Sequence, residues 1–314
     1  MKSRLIIPFC LILIFQTVFM MVFLSNGTVA KSLYANEIDS IEKDVQNSEL
    51  LLEREMVQHW LNDIRTSVTV QKKIQIVLEE QNRQPDDIQT DWQLNASILN
   101  AIMPDVLDLL HRSYGNSIYV ILDGPSSAHN KSGHKAGVGV TDTDSSSFAA
   151  DNSDLLLVRG TASVSKDYKI PLSRDWQMDY DLSQTEVSEY PFYTPYTIAK
   201  SAKILESTEQ YGYLSSISPA LQTDTDGLSY SIPLVLEDGS VVGVLGGTLN
   251  KTQIYALLKN ELFQSDADTI QLIAEKNTDE VRLTPVLAYG SAYNCSFGNR
   301  ESLSYVDTKW KGIK

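Results

Sequence analysis

Cysteine is almost missing from this chain of 314 residues: Cys10 and Cys295 are the only two. Cys10 lies inside an apolar run, so no intrachain disulfide framework is expected, and two isolated cysteines cannot supply a CxxC zinc site. Acidic residues are absent before Glu37, and no charge of either sign occurs between Arg4 and Lys31. No GxSxG elbow, HExxH pair or P-loop is present. Histidines number four. His129 and His134 flank a Gly/Ser loop with no third ligand, while His59 and His111 fall on predicted helices, so no metal and no cofactor is expected. Bases are outnumbered 26 to 40, for a net charge of −14. A surface this acidic repels phosphate backbones, which argues against nucleic acid as a partner.

What the N-terminus does have is an apolar stretch, LIIPFCLILIFQTVFMMVFL, from Leu5 to Leu24. About 20 such residues match a hydrocarbon core of roughly 30 Å. Lys2 and Arg4 precede it, within a stub at residues 1–4, and favour an inside N-terminus. The run is longer than a signal-peptide h-region, and Thr28-Val29-Ala30 is a mediocre cleavage site. A retained anchor over residues 5–24 is expected, with the bulk of the chain outside the cytoplasm. The cleaved signal peptide is the alternative.

Neither Gly nor Pro occurs from Ser32 to Gln84. Ile38, Ile41, Val45, Leu52, Met56 and Trp60 recur at three, four or seven residues, predicting a long stalk helix over 32–70 and a homodimer formed along it. Helical pattern continues to a break at Gln84-Pro85-Asp86-Asp87. A second amphipathic helix follows, with Pro104 as a predicted kink. Beyond it come a strand at NSIYVILDG, a long polar loop, further strands, a helix over Lys251–Phe263 and strand-like DTIQLIAE and VRLTPVLAYGSAY. The order predicts an α+β fold, with antiparallel sheets and helices on one side.

One hairpin poses a question. SYSIPLVLEDGSVVGVLGGTLN reads as two strands joined at Asp238-Gly239. The returning strand carries Gly243, Gly246 and Gly247, although glycine weakens a strand. Such glycines mark close approach by a backbone, a bulge or a ligand. Both a helix lying against them and a ligand cavity beside them are open readings.

Four segments, SRDWQ, YPFYTPY, YGYLSSISPA and YSIPLVLEDGSVVGVLGGTL, come in the order and spacing of the extracellular double Cache sensor domain, which the chain resembles from about Leu33 to Tyr293. The resemblance is firmest over Leu172–Leu258. It implies two PAS-like sheets on one long N-terminal helix, at the front of a chemoreceptor, histidine kinase or diguanylate cyclase. On this basis residues 71–263 form a membrane-distal Cache subdomain and 264–314 a membrane-proximal one. Amino-acid sensors of this type share a tyrosine, Arg-x-Trp-Tyr, Pro-Tyr-x-Asp, and an Asp after the final glycines. Arg174, Trp176 and Tyr196 match that pattern. Gln177 replaces the tyrosine beside the tryptophan, Ile198 and Thr248 stand where the acids belong, and Lys169, beside Tyr168, takes the upstream position. The resemblance thus implies a ligand site at Arg174, Trp176, Tyr193, Tyr196 and Thr248 that retains an anion-holding arginine and lacks the partners of an ammonium. Arg174 and Trp176 also have a structural reading, an arginine capping carbonyls beside a core tryptophan.

The expected function is therefore extracytoplasmic sensing of a small anionic ligand by a membrane-bound signalling receptor, the chain itself not being an enzyme. The alternatives are a membrane-anchored solute-binding protein and an exported hydrolase, since Ser and Asp are plentiful enough for a triad.

Overall fold

The structure, a computed structural model, describes residues 29–112, 117–129, 131–143, 152–183, 193–202, 212–214, 218–219, 226–250, 271–277, 282–289 and 303–304. The expected anchor, residues 5–24, and the helix expected over Lys251–Phe263 lie outside the described residues. Among the described residues no helix is long and apolar enough to cross a membrane.

Helix α1 spans Val29–Glu80, 52 residues, running through the stalk expected over 32–70 and the helical pattern read on toward Gln84. At 1.5 Å per residue it reaches about 78 Å, far beyond the width of one small sheet. It stops where the backbone turns left-handed at Asn82, with φ of 50°. There the Arg83 N–H donates to the Leu78 carbonyl (2.8 Å) and the Asn82 N–H to that of Glu79 (3.1 Å). This is a Schellman ending with asparagine in place of glycine. A 3-10 turn, Pro85–Gln89, follows at the predicted break. Asp91 then caps α2 (Trp92–Arg112), its Oδ1 accepting from the N–H groups of Gln93 and Leu94.

Helix α2 runs on through Pro104. Proline has no N–H to offer the carbonyl four residues back, that of Asn100. The Tyr168 hydroxyl donates to that carbonyl instead, at 2.9 Å. The orphaned acceptor is thereby satisfied, and α3 (Ala162–Tyr168) is tied to α2.

The strands are β1 (Ser117–Leu122), β2 (His134–Lys135), β3 (Gly137–Asp142), β4 (Leu155–Arg159), β5 (Leu172–Gln177) and β6 (Tyr180–Asp181). Helix α4 (Tyr193–Ser201) precedes β7 (Tyr213–Leu214), β8 (Ser218–Pro219), β9 (Asp226–Val235) and β10 (Val241–Asn250). The main sheet has the order β5-β4-β3-β1-β10-β9-β7, with β8 also on β9. It is mixed rather than purely antiparallel, because β4 and β5 pair in parallel. The short α3 crossover between them returns the chain in the same direction. Strands β2 and β6 form a separate ribbon. Strands β11 (Gln271–Asn277), β12 (Arg282–Tyr289) and β13 (Leu303–Ser304) form a further sheet, at the two late segments read as strands.

Alternation sets the two faces of the main sheet. Ile118, Val120, Leu122, Val138, Val140 and Leu245 meet Ile74, Leu78, Ile98, Ile102 and Met103 of the two long helices in one buried cluster. The other face is built differently and carries the candidate site.

Candidate ligand-binding site

Cross-strand partners in an antiparallel sheet point to the same face. Ser117 of β1 pairs with Thr141 of β3 and Thr248 of β10, and Thr248 pairs with Ser229 of β9. One row across four strands is therefore all hydroxyl. Ser117 and Thr141 are hydrogen bonded at 2.9 Å, as are Ser229 and Thr248. The parallel row two residues along β1 reads Arg159, Gly139, Tyr119, Gly246 and Ser231. Small side chains dominate, and tyrosine rings fill the room they leave. A Cβ on Gly137 would lie 2.6 Å from the Tyr180 ring, and one on Gly246 2.3 Å from the ring of Tyr119.

These contacts answer the question of the glycine-rich strand, and the reading of a helix lying against it holds at Gly247. Gly246 admits Tyr119 on the site face. Gly247 faces the helices, where a Cβ would stand 3.1 Å from His59 Nε2 of α1. Gly243 has a third cause: a Cβ there would lie 2.3 Å from the Ile121 carbonyl oxygen, beside a register shift in the ladder.

Arg159 is 2% exposed. Its Nη1 donates to the carbonyls of Val158 (2.8 Å) and Asp175 (3.2 Å), and its guanidinium lies 5.9 Å from the Tyr180 ring centroid. That separation is within cation–π range. Between the rows is a cavity of about 10 Å³ lined by Ser117, Tyr119, Thr141, Arg159, Tyr180 and Thr248. It holds roughly one water molecule.

The cover over this face is fastened by charge. Asp123, at the end of β1, accepts from Lys135 of β2 at 2.5 Å and from the Tyr196 hydroxyl of α4. Lys200 donates to the Tyr196 oxygen at 2.7 Å and stands 3.6 Å from Asp123. Burial, then the bond to Asp123, push the Tyr196 phenol well above its usual range. On the ribbon, His134 stands between Asp179 (3.0 Å) and Asp181 (3.5 Å). Hydrogen bonds from Ser183 hold Asp181 below the usual carboxylate range. The ribbon and α4 thus meet at one carboxylate.

Of the residues singled out from the sequence, Thr248 is buried and lines the cavity. Tyr196 is buried with Tyr119 and Tyr180 on the same face. Trp176 is half-buried against the helical core, its Nε1 donating to the Gly160 carbonyl at 3.0 Å. Arg174 is exposed on β5. Tyr193 opens α4, and its side chain lies outside the described residues. Arg159, Tyr119 and Tyr180 were not singled out. Alternation from Leu155 and Leu157, both in the helical core, would put Arg159 on that side; the register shift between β3 and β4 turns it to the site face, so the local pattern gives no signal for it.

On the helix side His59 and Asp63 of α1 face inward, 8% and 0% exposed and 3.8 Å apart. Desolvation lowers the His59 imidazole to about 4 and raises the Asp63 carboxyl well above its usual range.

No family model matches the chain, and no curated protein does. Solved structures do. The sensory domain of the Campylobacter jejuni chemoreceptor Tlp3 with isoleucine bound has a TM-score of 0.44 at 15% identity, covering 90% of this chain and 81% of that one. The periplasmic sensory domain of the Campylobacter jejuni chemoreceptor Tlp1 has a TM-score of 0.39 at 18% identity, covering 71% and 67%. The extracellular domain of soHK1S-Z6, assigned as a histidine kinase, has a TM-score of 0.33 at 12% identity, covering 81% and 71%. Two of these are sensory domains of chemoreceptors and one is the extracellular domain of a histidine kinase.

Proposed function

We propose that the chain is the extracytoplasmic ligand-sensing region of a membrane-bound signalling receptor. Residues 5–24 serve as anchor, α1 as stalk, 71–263 as the distal sensing unit and 264–314 as a proximal one. The ligand is a small anion bound on the hydroxyl and tyrosine face of the main sheet, with Thr248 and Tyr196 among its contacts.

One observation carries this reading: a single helix packs its C-terminal part on the back of the sheet whose front holds the cavity, and extends far beyond it. His59 of α1 sits against Gly247, while the adjacent Gly246 sits under Tyr119. A ligand that lifts Tyr119 or Tyr180 changes the seat of β10, and β10 is in contact with the helix. A shift of an ångström or two is the scale of known helix-shift switches. Thermal unfolding of the full chain in detergent, screened against small carboxylates and amino acids, tests it. A ligand at 100 times its Kd adds about 2.7 kcal/mol, and a rise of about 5 °C or more is expected. No rise with any small molecule, joined to turnover that is lost on replacing a Ser or Asp, would favour the hydrolase.

The stalk also supports a homodimer. Leu50, Val57, Leu61 and Val68 are 63%, 44%, 40% and 41% exposed. Their spacing of seven, four and seven is that of a coiled-coil seam. Replacing Val57 and Leu61 by glutamate should convert a dimer to monomer in sedimentation of the full chain, with the unfolding temperature held within 2–3 °C because both side chains are exposed (about 1 kcal/mol). Wild-type chain that sediments as a monomer at membrane-like concentration contradicts the dimer.

A further inference from the structure

Resting on the sensor reading above, we propose that the hydroxyl row and Arg159 together select a small hydroxy acid. Arg159 holds the carboxylate and the row pairs with the ligand hydroxyl.

Three features of the cavity point to this class. First, its cation is a guanidinium that is 2% exposed and lines the space directly. Guanidinium is always charged and presents donors in a planar fork that fits a carboxylate. Arg174, by contrast, is exposed on β5. Second, Ser117, Thr141 and Thr248 line the same space and carry no charge. A hydroxyl both donates and accepts. Within the Ser117–Thr141 pair one proton is shared at 2.9 Å, and a pair of this kind has a second proton to give. A ligand hydroxyl can take that proton and return its own. An ammonium cannot, because it only donates, and among the described residues no carboxylate lines the cavity to balance its charge. Third, the order is fixed by register. Arg159 belongs to the row of Gly139 and Tyr119, and the hydroxyls belong to the next row on that face. Adjacent same-face rows are two residues apart, about 7 Å along a strand, room for a short acid together with a hydrogen bond at each end. The space holds about one water as it stands, so the ligand enters as the Tyr180 ring leaves its bed on Gly137 and Gly139.

Glycolate, acetate and glycine test the selection, because they share a carboxylate and differ only in carrying OH, H or NH3+ on the next carbon. Calorimetry of the full chain in detergent should show glycolate binding at least tenfold tighter than acetate or glycine. Arg159→Gln should weaken glycolate a hundredfold or more, while Arg174→Ala changes it less than threefold. Thr141→Val keeps shape and charge and removes one hydroxyl, so it should bring the glycolate-to-acetate ratio close to one with acetate unchanged. Thr141→Val keeps the test valid should Arg159→Gln fail to fold. Glycine binding best, the ratio surviving Thr141→Val, or no heat from any of the three acids would each overturn the hydroxy-acid selection. The sensor reading falls separately, on the wider thermal screen.

Discussion

Adding a methyl group at Gly246 should cost about 3 kcal/mol of stability, whereas the same change at Gly139 should cost about 1 kcal/mol, the two ends of the usual range for overpacking. Both glycines lie on the site face, one residue to either side of Tyr119 in its cross-strand row. They differ in what a Cβ would meet. At Gly246 it would stand 2.3 Å from the end of the Tyr119 ring and 2.7 Å from the Tyr230 carbonyl oxygen. That carbonyl belongs to the neighbouring strand and cannot move without the ladder. At Gly139 the close atom is the Tyr180 hydroxyl at 2.3 Å, and the next lies at 3.5 Å. Tyr180 sits on a two-stranded ribbon and yields. A strand also gains a little when alanine replaces glycine, roughly 0.5–1 kcal/mol, which trims both costs. Urea unfolding followed by fluorescence separates them. Equal costs would mean that the tyrosine cover is as rigid as the sheet, and that Tyr180 is no entry point.

The second large effect concerns His59 and Asp63. A histidine whose folded pKa is lowered to about 4 from 6.5 takes up its proton more readily in the unfolded chain. Its contribution to stability is intact above 6.5 and is lost as pH falls toward 4. At about 1.4 kcal/mol per pH unit, the loss reaches roughly 3 kcal/mol. Asp63 has the opposite sign. Its raised pKa means that the folded chain keeps a proton the unfolded chain gives up, so its contribution is lost as pH rises above 3.8. In the native protein the two slopes oppose each other. Asp63→Asn should therefore expose the histidine slope, with stability falling as pH drops from 6.5 toward 4. His59→Gln should expose the other, with stability falling as pH rises from 3.8. Urea midpoints across pH 4–8 check both, and matching profiles for the two variants would refute the opposed pair.

How far these features were legible in the sequence depends on how local their cause is. A stretch with no Gly or Pro from Ser32 to Gln84 announces a long helix, and Asp238-Gly239 announces the hairpin, whose Gly239 has a φ of 84°. Both depend on neighbours in the chain. The helical pattern read on to the break at Gln84 ends at Glu80, because a left-handed Asn82 stops it, a weaker signal than glycine. How the Asn100 carbonyl left open by Pro104 is satisfied was not legible, since its donor is Tyr168, 68 residues away. Arg159 was missed for the same reason. Its place above the cavity follows from pairing with Gly139 of β3, and no local pattern states that register. His59 was read correctly as helical, but its burial depends on Gly247 across the whole unit. Thr248 was legible only through the resemblance, which marks its place without saying what covers it. The same motif match singled out Arg174, which stands exposed where β5 runs along the sheet edge in parallel with β4.

Ligand bound on the hydroxyl and tyrosine face should be felt by α1. Hydrogen–deuterium exchange of the full chain, with and without the acid that gives the largest thermal shift, tests it most directly. Slower exchange is expected in the cover, at Tyr180–Asp181 and Tyr193–Ser201, together with a change in α1 around His59–Ser67. Protection confined to residues 271–304, with the cover and α1 unchanged, would contradict it.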